Sequence, residues 1–90
     1  MEGYRLLVKP SAAKELEAVL NKRERNGIVA AIRALSAEPR PHGCQKLSGS
    51  EKYRVRKGAH RVLYQVDDDA RVVTVVKIGH RRDVYRGATG

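Results

Sequence analysis

Apolar and polar residues alternate along Tyr4–Lys9, with Tyr4, Leu6 and Val8 on one side of an extended chain. That period of two is the signature of a half-buried strand. Pro10 ends it, and Ser11 is a good helix N-cap. The spacing then changes. Leu16, Val19 and Leu20, with Ala12 and Ala13 behind them, form an apolar stripe at helical intervals, which predicts a first helix over Ala12–Asn21. Ile28, Ala31, Ile32 and Leu35 recur at i, i+3, i+4 and i+7 and predict a second helix, with Gly27 near its start as a mildly weakening residue. The short connection makes the two an antiparallel hairpin.

Pro39-Arg40-Pro41-His42-Gly43 breaks the helical pattern, and alternation returns. Cys44–Leu47 predicts a short strand, Ser48-Gly49-Ser50 a turn, and Tyr53–Lys57 and His60–Val66 a hairpin. Asp67-Asp68-Asp69-Ala70 is a polar turn before the β-branched run Val72–Ile78. If Val66 pairs with Val72, then Val72, Thr74, Val76 and Ile78 face the helices. The tail Gly79–Gly90 is rich in Arg and Gly, with weak structural signals. The expectation is one α+β domain over residues 1–90, a helix hairpin packed on one face of a small, mostly antiparallel sheet in the order β-α-α-β-β-β-β.

The hairpin carries the most chemistry. With Gly58-Ala59 as a two-residue loop, Arg56 lies opposite Arg61 and Arg54 opposite Leu63. Tyr53, Val55, Val62, Tyr64 and Val66 fall on the other, core-facing side. Like charges directly opposed destabilise a sheet, and a phosphodiester backbone would relieve that cost. Arg54, Arg56, Arg61, Arg81 and Tyr85 form the candidate site, with Lys77 and His80 nearby. Guanidinium groups donate paired hydrogen bonds to phosphate oxygens and can stabilise a pentacoordinate transition state. An ordinary solvated basic face explains the same pattern of charges. His42 reads as a turn residue, His60 as core-facing, Cys44 as a small core residue and the three aspartates as turn chemistry.

Charge strengthens the nucleic-acid reading without deciding it. The formal net charge is +9; residues 52–90 hold ten Lys/Arg against four Asp, and residues 1–51 nine against six Glu. Such a domain is drawn to nucleic acid or to an acidic protein. A lone cysteine excludes an internal disulfide, no Cys/His set has zinc spacing, and the start of the chain lacks a signal-peptide pattern. No apolar run approaches the roughly 20 residues of a membrane span. A cytoplasmic domain without metal or cofactor is expected.

The segments Pro39-Arg40-Pro41-His42-Gly43, Lys46-Leu47-Ser48-Gly49, Tyr53-Arg54-Val55-Arg56, Arg61–Val66 and Ile78-Gly79-His80-Arg81-Arg82-Asp83-Val84-Tyr85 occur in the order seen in the RelE/ParE toxin superfamily. The chain resembles its RelE branch from Tyr4 to Arg86. The resemblance implies the RelE-like microbial RNase fold and a toxin of a type II toxin–antitoxin pair, neutralised by a cognate antitoxin. It also implies a metal-independent endonuclease that cuts mRNA in the ribosomal A site through attack by a 2′-hydroxyl. Carried over residue by residue, the basic pair of the first hairpin strand falls on Arg54 and Arg56. The phosphate-binding arginine of the next strand falls on Arg61, the arginine after the last strand on Arg81 and the C-terminal tyrosine on Tyr85. Lys77, His80 and Arg82 would contact RNA. Some RelE toxins carry lysines at the positions of Arg54 and Arg56. Arginine is a poor general base, so Tyr85 or His80 would share proton transfer. The ParE branch, which inhibits DNA gyrase without cutting RNA, is the alternative.

Overall fold

The computed structural model describes residues 3–47 and 52–80. Seven elements run β1 (Arg5–Val8), α1 (Pro10–Glu17), α2 (Lys22–Ala34), β2 (Gln45–Lys46), β3 (Lys52–Lys57), β4 (His60–Asp67) and β5 (Val72–His80). The order β-α-α-β-β-β-β is the one expected from the sequence. The strands form one sheet, ordered β1-β5-β4-β3-β2. β1 runs parallel to β5 and every other pair is antiparallel.

Helix α1 starts earlier and ends earlier than its apolar stripe predicts. Pro10 occupies its first turn and Lys9 its N-cap, so Ser11 lies inside the helix. Proline is favoured there because the missing N–H has no helical partner anyway. The helix stops at Glu17, and the cause lies just downstream: Asn21 caps α2 by accepting a hydrogen bond from the Glu24 amide at 3.0 Å. A residue committed to starting one helix cannot end the previous one. Leu20 falls in the link and is 92 % exposed rather than part of the stripe.

The core lies between the helices and one sheet face. Ala12, Ile28, Ile32 and Leu35 pack against Val62, Tyr64, Val66, Val73, Val75 and Ile78. Burying such side chains contributes about 1.5–3 kcal/mol each. The β3–β4 register is as expected, with Arg56 opposite Arg61 and Arg54 opposite Leu63. Gly58 adopts φ 61° at the first turn position, as a two-residue hairpin loop of type II′ requires.

The β4–β5 register differs from expectation by one residue. Asp67 pairs with Val72 and Val66 with Val73, because Arg71 closes the turn in a left-handed conformation, φ 58°. A one-residue slip exchanges the two faces, so Val73 and Val75 enter the core in place of Val72 and Thr74. An irregularity then follows: Tyr64 pairs with Val75 but Leu63 with Lys77. The extra residue restores the expected parity, and Ile78 is buried.

β1 ends opposite Val75, and among the described residues no strand covers the outer edge of β5 beyond that point. Glu15 of α1 takes over. Its carboxylate accepts the Ile78 amide at 2.9 Å and pairs with the Lys77 ammonium. An open edge is thereby covered by a charge, a common protection against unwanted strand addition.

Candidate active site

Strand alternation sets the opposite face of the sheet. Arg54 and Arg56 project from β3 and Arg61 from β4, away from the helices. Together with Gly43 and Gln45 they line an open groove of about 240 Å³. Arg56 is exposed, whereas Arg54 and Arg61 are half-buried, and the Arg61 Nε is sealed from solvent. Leu63, laddered between Arg54 and Lys77, has no exposed surface and lies outside the main core. It supplies an apolar floor that favours straight, extended arginine stems. Three guanidinium groups around one depression can grip a phosphodiester and neutralise the charge that builds on it during transfer.

Of the expected site residues, Arg54, Arg56 and Arg61 are brought together. Arg81, Arg82 and Tyr85 lie outside the described residues. Lys77 shares the ladder position of Leu63, but its ammonium is engaged by Glu15. His80 is exposed at the end of β5 and meets His60 edge-on at 6.1 Å. Both histidines border a second depression with Glu15, Ala18, Val19 and Lys77. The Nδ1 of His60 stands 3.9 Å from a Glu24 carboxylate oxygen. Cys44 is a free, half-buried thiol.

The described tyrosines are occupied structurally. Tyr64 is fully buried, stacks on Tyr53 at 5.8 Å and donates its hydroxyl to the Pro39 carbonyl at 2.8 Å. Burial, reinforced by Cys44, pushes its ionisation well above the ordinary tyrosine value, so it stays a donor. Tyr53 accepts a hydrogen bond from Arg40 Nε at 3.0 Å, and the Arg40 guanidinium lies 5.1 Å from the Tyr53 ring centre. Neither phenol is available to a substrate on the opposite face.

Arg40 and Asp68 are not visible as partners in the sequence. Arg40 donates two hydrogen bonds to the Asp68 carboxylate, at 3.1 and 2.8 Å, and Tyr4 donates a third at 2.7 Å. The contacts span 28 and 64 residues, far beyond any local motif. They tie the loop before β2 to the β4–β5 turn and to the start of β1. Arg40, then Tyr4, lowers the Asp68 ionisation below its ordinary 3.8. A lowered carboxyl value stabilises the fold above the unfolded value, and that gain disappears as pH falls through the folded one. Asp68→Asn is therefore expected to lower Tm at pH 7 and to melt like the parent near pH 2, measured by circular dichroism across pH.

Residues 6–85 match the family described as "ParE toxin of type II toxin-antitoxin system, parDE". Toxin RelG of Mycobacterium tuberculosis is 36 % identical over 42 residues, 47 % of this chain and 46 % of RelG, so the match spans about half of that relative. A mutant of Escherichia coli toxin RelE in the free state superposes with TM-score 0.77 at 27 % identity, covering 97 % of this chain and 95 % of RelE. The archaeal RelE–RelB complex from Pyrococcus horikoshii gives TM-score 0.77 at 28 % identity, covering 87 % and 94 %. A match over most of the chain and the shared fold lead to one identification: this chain belongs to the ParE toxin family of type II toxin–antitoxin systems, within the RelE/ParE superfamily.

Proposed function

We propose that the chain is a ribosome-dependent mRNA endonuclease that stops translation by cutting in the A site. The observation that supports this most is the convergence of Arg54, Arg56 and Arg61 in one open groove on the helix-free face. In this reading a nucleotide 2′-hydroxyl attacks the adjacent phosphorus and the 5′-oxygen leaves, giving a 2′,3′-cyclic phosphate and a 5′-hydroxyl. The 2′ proton passes to a base, and the leaving oxygen gains one. Arg54, Arg56, Arg61 and Arg81 stabilise the pentacoordinate phosphate electrostatically. Tyr85, with His80, carries the proton steps, because guanidinium groups stay protonated at working pH. His80 and Arg82 extend the RNA contact outside the groove, and Lys77 joins them by exchanging Glu15 for a phosphate. No metal is required, since the guanidinium groups supply the positive charge. The toxin acts where ribosomes are, in the cytoplasm.

A second reading is favoured by the family match itself, which is to the ParE toxin: a non-nucleolytic inhibitor of DNA gyrase. Induced expression separates the two. The nuclease stops protein synthesis before any DNA-damage response, and a gyrase inhibitor reverses that order.

The partner is a cognate antitoxin, acidic and partly disordered when free, that folds as it wraps this domain. A formal charge of +9 and the exposed apolar side chains Leu7, Val8 and Leu20 support that chemistry. Its complex is expected to survive high salt that releases RNA, because apolar burial is not screened. Co-expression with the neighbouring reading frame and pull-down at rising salt checks this; a complex as salt-sensitive as RNA binding would contradict it.

A further inference from the structure

We propose that Gln65 and Thr74 form a nucleobase subsite beside the arginine groove, and that Asp67 makes it select adenine or cytosine over uracil. This rests on the nuclease reading above. The β4–β5 register builds the subsite: Gln65 pairs with Thr74 and Asp67 with Val72. Because Val66, Val73 and Val75 take the core face, alternation turns all four side chains to the helix-free face. Gln65 lies two residues along β4 from Leu63, which faces Arg54 across the ladder. The subsite therefore begins about 6.5 Å along the strand from the arginine row, within reach of the base of a nucleotide whose phosphate sits in the groove. Gln65, Thr74, Val72 and Asp67 line an open depression of about 630 Å³ there. The first three are half-buried and Asp67 is exposed.

The chemistry of these groups suits a base edge. Sequence-specific recognition of single-stranded RNA reads unstacked bases through hydrogen bonds to their edges. A carboxamide carries an acceptor and two donors, and a hydroxyl serves as either, so Gln65 and Thr74 can hold the edge of any base. Val72 supplies apolar surface for its ring. Asp67 removes the indifference. An ionised carboxylate only accepts: it takes a hydrogen bond from the N6 amine of adenine or the N4 amine of cytosine and repels the O4 carbonyl of uracil. The Ala70 amide donates to Asp67 Oδ1 at 2.9 Å and fixes that carboxylate at the rim. Asp68 is already held by Arg40 and Tyr4.

The test uses the full-length toxin in two assays. Programmed ribosomes carry A-site codons that differ by one base on either side of the cut, and single-stranded oligoribonucleotides with the same substitutions are titrated without ribosomes. Adenine or cytosine at the read position should be cut and bound roughly 5- to 150-fold better than uracil, the range of one good base contact. Gln65→Ala should bring the amine-bearing substrates down towards uracil. Asp67→Asn keeps the oxygen that the Ala70 amide needs and should raise uracil towards adenine, because a carboxamide can turn its NH2 to O4. The Gln65 side-chain NH2 resonances should shift on adding an adenine oligonucleotide and stay in place with oligouridine. Equal binding of adenine and uracil oligonucleotides by the parent, or a preference unchanged in Asp67→Asn, would overturn the proposal. A parent that discriminates between oligonucleotides but leaves ribosome-bound mRNA intact would remove the nuclease reading and keep the subsite.

Discussion

Arg61→Ala is expected to cut ribosomal mRNA about 10²–10³-fold more slowly than the parent, a loss of about 2.7–4 kcal/mol of transition-state stabilisation by analogy with removal of one oxyanion donor. Arg61 faces Arg56 directly across the β3–β4 ladder, and its Nε is sealed from solvent. It is thus a cation held in a fixed place, the condition under which a charge stabilises a transition state without reorganising. The same geometry predicts what happens to the fold. Opposed like charges destabilise a sheet pair, and Arg61 lies on the face away from the core. The variant should therefore stay folded, with a Tm near the parental one. Single-turnover cleavage and a thermal melt on the same preparation check both halves. A normal rate would remove Arg61 from the site, and a sharply lower Tm would make it structural.

Tyr64→Ala should have the largest effect on stability. Tyr64 is the largest fully buried side chain among the described residues, and it ties β3 and the loop after α2 to β4 through the Tyr53 ring and the Pro39 carbonyl. Truncating a buried aromatic costs about 3–5 kcal/mol, against total stabilities of roughly 5–15 kcal/mol for domains in general. The variant is expected to lie near its unfolding midpoint in dilute denaturant. Tyr64→Phe isolates the hydroxyl. It keeps the ring and leaves the Pro39 carbonyl without its donor, which should cost about 1–3 kcal/mol. Urea unfolding of the two variants measures each term. A Phe variant as stable as the parent would show that water replaces the hydroxyl. The Pro39 contact also holds the loop that leads into β2, so Tyr64→Phe should loosen Gln45 as well.

Much of this was legible in the sequence because short-range rules govern it. A two-residue loop with glycine at its first position determines the pairing of Arg56 with Arg61, and alternation then separates the arginine face from the core. The β4–β5 register was not legible. It depends on a left-handed Arg71, a conformation that arginine rarely adopts, and a one-residue error there exchanged Val72 and Thr74 for Val73 and Val75. The end of α1 was obscured by Leu20, whose helical spacing fits the stripe, while Asn21 served the next helix instead. The Arg40–Asp68–Tyr4 tie and the Glu15 cover on β5 join residues far apart in the chain. Only the folded topology brings them together. The place of Gln45 in the groove follows from β2 pairing with β3, and a two-residue strand carries almost no pattern of its own.

Mapping mRNA 5′ ends in cells during induction tests the ribosome-dependent nuclease directly. New ends bearing 5′-hydroxyls should appear within translated frames, at a fixed position in the codon, and should be absent when Arg61 is replaced by Ala. An unchanged set of 5′ ends, with DNA breaks arising at gyrase instead, would contradict it.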